Sequence, residues 1–385
     1  MKKIIGSDIG NSKTEIVLEV NGSEETLRQP SVISEVIASH VASDLSVPQI
    51  MNDLYNNLTV HITSNALKRS AMYMIGKKAL KSSNKSNMEI SLGNKSENDI
   101  PVVMTLGMIA ASSVKEYYDA NDELPESLSL SIDMVTAIPS SEYKKKTAEA
   151  LEQRFIGTPR HIVVVHIGNE AVQVTLKFTN CKVTEEGKTS MLAFSTSDDA
   201  ILSDYNNLYK SNKTVKDFLN GTSLHVDIGD GTTEFTVINQ LQPVPNMSRG
   251  ERLGVGYASD LAVTLMKEEM NLGSRFTRQD FQEWLKKDGR KGQFANECFQ
   301  RAKHIQADEI LKETMVSFSE LASSDVDYIF VHGGGSILFK EVMLSELKKY
   351  AERNFAEVVW INSEYATSMN SRGTYILAKA LFDKK

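Results

Sequence analysis

Residues 8–18 read DIGNSKTEIVL and residues 227–237 read DIGDGTTEFTV. Asp, Ile, Gly, Thr and Glu recur at matching places on opposite sides of the chain's midpoint. Each copy follows a short apolar run, Ile4-Ile5 or Leu224-His225-Val226, and leads into alternating β-prone residues. The pattern predicts a strand, a tight turn and a returning strand, twice over. Gly10 and Gly229 let the backbone approach closely, and the N–H groups of such a turn suit a phosphate. Asn11, Ser12, Thr232 and Thr233 add side-chain donors. Asp8 and Asp227, at the turn entrances, are expected to hold a hydrated divalent cation, because two nearby carboxylates repel unless a metal sits between them. The two hairpins therefore predict a clamp on a nucleotide phosphate chain.

A third glycine element follows the apolar run Tyr328-Ile329-Phe330-Val331-His332, as Gly333-Gly334-Gly335-Ser336 at the head of a predicted helix. Free N–H groups at a helix start form an anion site. His332 is the one histidine expected near chemistry; His61, His166 and His225 read as structural. At 385 residues the chain is long enough for two domains with substantial cores. Its net charge of −7 gives no basic bias toward direct nucleic-acid binding. With two cysteines, Cys181 and Cys298, no disulfide framework is expected and the cytoplasm is the natural compartment. The Ile4-Ile5 run is too short for a signal peptide, and no apolar stretch approaches the roughly 20 residues that span a bilayer.

Along the chain we expect strands at 58–64, 128–138, 160–167, 171–178 and 358–361. Helices are expected at 101–118, 257–270, from Ser336 onward and at about 372–383, with 277–321 largely helical around a break at 288–292. Residues 81–98 read as a polar surface loop. Residues 195–220 read as a polar lead into the second hairpin. Ser140 or Ser141 is expected to cap the helix through KKKTAEALEQRF. Two halves that each open on a hairpin and continue with strand–helix alternation make an α/β duplication.

The three glycine motifs together resemble those of the actin-like ATPase superfamily. Asp8-Ile9-Gly10-Asn11-Ser12 looks like its first phosphate loop, Asp227 to Thr233 like its second, and Val331 to Ser336 like its adenosine motif. MVTAIPSSEYK (134–144) and NSRGTYILAKAL (370–381) look like its connecting segments. VTAIPSSEY, RLGVGYASDLAV (252–263) and INSEYATSMNSRGTYILA (361–378) are most similar to the ParM-like bacterial plasmid-segregation actins. The resemblance implies an actin-like (ribonuclease H-like) duplicated two-domain α/β fold with a central nucleotide cleft. Domain I would comprise 1–205 and 365–385, and domain II 206–364.

It also implies site residues. Asp8, Gly10, Asn11, Ser12 and Lys13 would bind nucleotide in the first half. Gly229, Asp230, Gly231, Thr232, Thr233, Lys303, Gly333, Gly334, Gly335 and Ser336 would bind it in the second, with Asp8 and Asp227 on the metal. Glu186, in Val183-Thr184-Glu185-Glu186-Gly187, matches the family's water-orienting carboxylate, with Glu185 the alternative if the match slips by one. Helix 295–321 should cover the base; Arg301 is a second candidate there beside Lys303, and both also fit a solvated helix face. Where many relatives carry a phosphate-facing Lys this chain has Glu15, and Lys13, two residues earlier, is expected on the opposite strand face. Asp230 replaces a common Gly and could join the metal shell.

The implied function is a nucleoside triphosphatase, using ATP or possibly GTP with Mg2+. It would assemble into homopolymeric dynamic filaments and segregate plasmid DNA through a ParR-like DNA-binding adaptor on a centromere-like site. Hydrolysis would control filament stability, with no direct nucleic-acid contact and no membrane. The competing readings are a sugar or small-molecule kinase of the same superfamily, and a chromosomal cell-shape or division homologue.

Overall fold

The computed structural model describes residues 1–36, 45–88, 95–272, 276–323 and 325–383. They form two compact units, Met1–Ala193 with Asn370–Lys385, and Phe194–Met369.

Unit 1 is built on one sheet. Its strands are β1 (Lys2–Ile9), β2 (Lys13–Val20), β3 (Ser23–Pro30), β4 (Val32–Glu35), β5 (Thr59–Thr63), β6 (Ala71–Ile75), β7 (Lys85–Asn87), β8 (Ser127–Ile138), β9 (His161–Ile167) and β10 (Glu170–Glu185). They lie in the order β3-β2-β1-β8-β10-β9-β5-β6-β4-β7. β1, β8 and β10 run parallel, so their C-terminal ends share one edge of the sheet. Helices α1 (Val47–Asn52), α2 (Lys77–Leu80), α3 (Asp99–Asn121) and α4 (Lys145–Ile156) intervene, and α5 (Glu186–Ser195) starts as β10 ends. Every residue of α3 from Ile100 to Val114 is buried, as a helix that is apolar all round must be. Asn98 caps it, accepting from the Ile100 N–H at 2.9 Å.

Unit 2 contains α6 (Ser203–Tyr209), β11 (Thr222–Ile228), β12 (Thr233–Asn239), β13 (Gln242–Glu251), α7 (Val255–Met270), α8 (Arg278–Leu285), α9 (Arg290–Glu320), β14 (Tyr328–His332), α10 (Gly334–Arg353), β15 (Glu357–Trp360) and α11 (Ser363–Ala366). Its sheet order is β13-β12-β11-β14-β15, with β11, β14 and β15 parallel. The C-terminal helix α12 (Met369–Phe382) returns to unit 1. There Gly6 has no room for a side chain, since a Cβ would lie 2.2 Å from the Tyr375 nitrogen.

The α/β duplication is present, and several local expectations are corrected. The units divide at Ala193/Phe194 and Met369/Asn370, where the sequence reading had 205/206 and 364/365. Phe194 explains the first shift: its ring packs 4.9 Å from Phe330 and 6.0 Å from Phe218, both in unit 2. Residues 195–220 are correspondingly not a bare polar lead. They hold α6 and short 3-10 turns, and they bury Tyr205 and Phe218. Within 81–98, read as a surface loop, lie β7 and the buried Lys95 and Ser96; residues 89–94 fall outside the described part. Neither Ser140 nor Ser141 caps α4, whose N-cap is Lys144. The hydroxyl of Ser140 instead accepts from the Gly187 N–H at 3.3 Å. No helix among the described residues is long and apolar enough to cross a membrane.

Candidate functional site

The repeated sequence folds twice into the same turn. In unit 1, Asp8 faces Glu15 and Ile9 faces Thr14 across β1 and β2. In unit 2, Asp227 faces Glu234 and Ile228 faces Thr233 across β11 and β12. Gly10 N–H donates to the Lys13 carbonyl at 2.9 Å, and Gly229 N–H donates to the Thr232 carbonyl at 2.8 Å. At both glycines a Cβ would crowd that same carbonyl, at 2.9 Å and 3.0 Å. The turn geometry thus selects glycine independently of any ligand.

In unit 1 the turn is tied from behind by Ser31. Its hydroxyl donates to the Gly10 carbonyl at 2.6 Å, and its N–H donates to the Ser12 carbonyl at 2.9 Å. Glu15 is fully buried beside the turn. Lys13 Nζ and Arg28 Nε each donate to its Oε1 at 2.7 Å, and Ser371 Oγ donates to its Oε2 at 2.9 Å. Lys13 and Glu15 therefore share one face, correcting the expectation of opposite faces; residues two apart on a strand point the same way. One buried carboxylate carrying two cations leaves this cluster with one net positive charge.

Glu186 opens α5 at the end of β10, its side chain 12% exposed. Its Oε1 accepts from Lys95 Nζ at 3.0 Å. Burial would lower the Lys95 ammonium, but Glu186, Asp8 and Glu142 together hold it above its ordinary value. Burial pushes Glu142 up from the usual carboxylate range, Lys95 pulling it down and Glu186 raising it further. In unit 1 Lys95 is thus paired with Glu186, and the charges of Asp8 and Glu142 act on it as well. The neighbouring Glu185 is pushed up by burial, with Lys188 opposing.

In unit 2 glycines pack against the turn on two sides. Gly256 N–H donates to the Asp230 carbonyl at 2.8 Å, and a Cβ on Gly254 would meet that oxygen at 2.4 Å. Gly333, at φ +86°, lies so close that a Cβ would meet Asp227 Oδ1 at 2.2 Å; one on Gly335 would meet Ile228 Cγ2 at 2.5 Å. Gly334 is exposed, with nothing within 4 Å of its Cβ position. The triple glycine and the second turn therefore form one site, with Gly334 on the open side. Thr233 and Ser336 are fully buried, their hydroxyls donating to Leu253 O at 2.6 Å and Gly333 O at 2.7 Å. Both hydroxyls are thus bonded within the fold, and Thr232 beside them is half-buried. Lys303 on α9 is buried, its ammonium 3.5 Å from Glu341 on α10. Arg301 is turned to Glu269 on the exposed face.

Burial raises the Asp230 carboxyl, with Arg278 lowering it and Asp260 raising it. Arg278 donates through Nε to Asp260 Oδ1 at 2.8 Å. His332 stands beside Asp227 in register, Nδ1 to Oδ1 at 3.6 Å. Sequence reasoning missed Lys95, Glu142, Arg28 and Arg278.

Among the described residues no three His, Cys, Asp or Glu side chains group as a ready-made metal site. An aspartate at a turn entrance suits Mg2+, which keeps several waters and takes one or two carboxylates together with phosphate oxygens.

Residues 6–188 match the family described as the N-terminal domain of actin-like proteins. No curated protein matches the chain in sequence. Among solved structures, the actin-like protein Alp7A superposes with a TM-score of 0.72 at 15% identity, covering 99% of this chain and 97% of that one. Bacillus thuringiensis ParM with ATP gives 0.63 at 15% identity over all of both chains. Ta0583, an archaeal actin homolog, gives 0.64 at 16% identity, covering 98% of this chain and 99% of that one. The fold is actin-like, and residues 6–188 carry the match to the N-terminal domain of actin-like proteins.

Proposed function

We propose that the protein is a nucleoside triphosphatase that polymerises, using ATP or GTP with Mg2+, and that its filaments segregate plasmid DNA through a ParR-like DNA-binding adaptor. The observation that carries the reading is the duplicated Asp-Ile-Gly turn, closed by the same hydrogen bond in both units and joined in unit 2 by the triple glycine. Solved ParM structures holding ATP, ADP and AMPPNP support nucleotide binding by this fold.

In this reading the backbone N–H groups of Gly10 to Ser12 and Gly229 to Thr232 bind phosphate oxygens. Lys13, braced by Glu15, contributes the cation. Asp8 and Asp227 are the residues that would hold Mg2+, which when bound would supply positive charge to the phosphates. Gly333 to Gly335 and Lys303 bind the nucleoside end. Glu186 orients a water and accepts its proton as the oxygen attacks the terminal phosphorus; the bond to the bridging oxygen breaks and phosphate leaves. Hydrolysis then weakens the polymer, and the adaptor couples it to centromere-like DNA.

Light scattering and pelleting of the full chain with Mg2+ and ATP, GTP or ADP test this. Reversible assembly with a triphosphate, followed by loss of scattering as phosphate is released, is expected. A protein that stays monomeric at tens of micromolar while phosphorylating a sugar refutes it in favour of the kinase reading.

A further inference from the structure

We infer that Lys95 is a positioning residue for Glu186: it holds one carboxylate oxygen and thereby fixes the direction of the other. The inference rests on the proposed hydrolytic role of Glu186.

The bridge is built at both ends. Lys95 Nζ lies 3.0 Å from Glu186 Oε1, with the two side chains 8% and 12% exposed. A buried ammonium needs a partner, and a buried pair with one member removed is costly. The backbone carrying Lys95 is pinned by one side chain of α4. Arg154 donates to Ala66 O through Nε at 3.1 Å and NH2 at 2.7 Å, and to Ser96 O through NH1 at 3.2 Å. It also bonds Asn98 O and pairs with Asp99. On the other side, the start of α5 is fixed by Gly187 N–H on Ser140 Oγ and by Thr189 Oγ1, which donates to Glu186 O at 2.8 Å.

Stability alone does not call for such a bridge, because apolar residues of similar size replace buried ion pairs with little or no loss. Orientation does. A free glutamate at a strand end samples several rotamers, whereas one whose Oε1 is held presents Oε2 in a fixed direction. Geometry of this kind governs the rate of a water-attack step. The charges of Asp8 and Glu142 also favour the ammonium form of Lys95.

Single-turnover phosphate release and ATP affinity, measured on the full chain with Mg2+-ATP, test the inference with Lys95→Met, Lys95→Arg, Glu186→Gln and the double variant K95M/E186Q. Glu186→Gln should slow release at least about a hundredfold. Lys95→Met should slow it about 10- to 100-fold with KM for ATP little changed, and Lys95→Arg should recover part of the loss. In the Glu186→Gln background, Lys95→Met should add nothing further. A wild-type rate for Lys95→Met, a change in KM alone, or losses that multiply in the double variant would overturn it. If Lys95→Met fails to fold, the double variant, which removes both buried charges, is compared with Glu186→Gln alone; equal rates support the inference and a slower double variant overturns it. If Glu186→Gln releases phosphate normally, the hydrolytic role of Glu186 falls and this inference falls with it. That result is distinct from failure of Lys95→Met alone.

Discussion

Gly334 separates a structural glycine from a ligand-facing one. Its neighbours are fixed by the fold. Gly333 sits at φ +86° and ψ 166°, a region essentially restricted to glycine, so Gly333→Ala costs about 1–3 kcal/mol in backbone strain. The new methyl would also fall 2.2 Å from Asp227 Oδ1 and 2.5 Å from Ile228 O, and overpacking of that kind adds about 1–3 kcal/mol. Gly335→Ala carries only the packing penalty, against Ile228 and Gly229. Gly334 is the first residue of α10 and meets nothing within 4 Å. Gly334→Ala should therefore fold normally and gain about 0.4–1 kcal/mol from a stiffer unfolded chain. If nucleotide occupies the open side of this turn, the same methyl intrudes on it, weakening binding by about 1–3 kcal/mol. That is roughly five- to 150-fold in Kd. Urea denaturation and titration with a fluorescent ATP analogue read the two effects separately. A stable Gly334→Ala with affinity within about twofold of wild type would refute the placement of nucleotide at this turn.

Two further substitutions follow from the buried charges. Glu15→Lys should destabilise by about 2–4 kcal/mol, since it sets a third cation beside Lys13 and Arg28, both within 2.7 Å of the present carboxylate. Chemical denaturation checks this, and an unchanged midpoint would show that Lys13 and Arg28 do not depend on Glu15. His161 is fully buried, Nδ1 2.7 Å from Ser64 Oγ and Nε2 3.0 Å from Phe155 O, and burial holds its ring below its ordinary value despite the Phe155 bond. The unfolded chain therefore takes up a proton below about pH 6.5 that the folded chain refuses. Stability from this residue is intact above that pH and falls as pH drops toward the depressed folded value, by up to about 1.4 kcal/mol per pH unit. His161→Gln should flatten that limb in a pH series of denaturation curves, and an unaltered slope would refute the assignment.

What the sequence made legible was local. The hairpins, the long helices and the triple glycine each depend on residues within a few positions of one another, so period and turn chemistry disclose them. The contacts that complete the sites join distant residues with no shared period. Lys95 and Glu186 are 91 positions apart, and Ser371 reaches Glu15 across 356. Lys95 was also concealed by its setting, since Lys-Ser-Glu-Asn reads as solvated until Arg154 folds the segment inward. The misjudged face of Lys13 has another origin: strand period alone places residues 13 and 15 together, and their 2.7 Å ion pair follows from it. Ser140 was unreadable as a cap because its hydroxyl is taken by the start of α5, a contact between separate elements.

The two turns share a closure and differ in their surroundings, and the difference divides the labour. Beside Asp8 the parallel neighbour strand places Ala137; beside Asp227 it places His332. The first turn stands among side-chain charges: Lys13 and Arg28 on Glu15, and Lys95 on Glu186. The second is shaped by glycines at 254, 256, 333 and 335, whose backbones approach to distances that exclude side chains. Charged side chains held by such pairs can act on the attacking water and on the charge of a reacting phosphate. A turn wedged between glycine segments can supply only fixed N–H dipoles and a fixed shape. Exchanges that remove the charge at Lys95 or Glu186 should therefore act on the rate of phosphate release and spare nucleotide affinity. Methyl additions at the unit 2 glycines should act on affinity or stability and spare the rate of the nucleotide that still binds. Reversal of that pattern, with Lys95→Met changing affinity and Gly334→Ala changing rate alone, would mean that the chemistry is carried by the second turn.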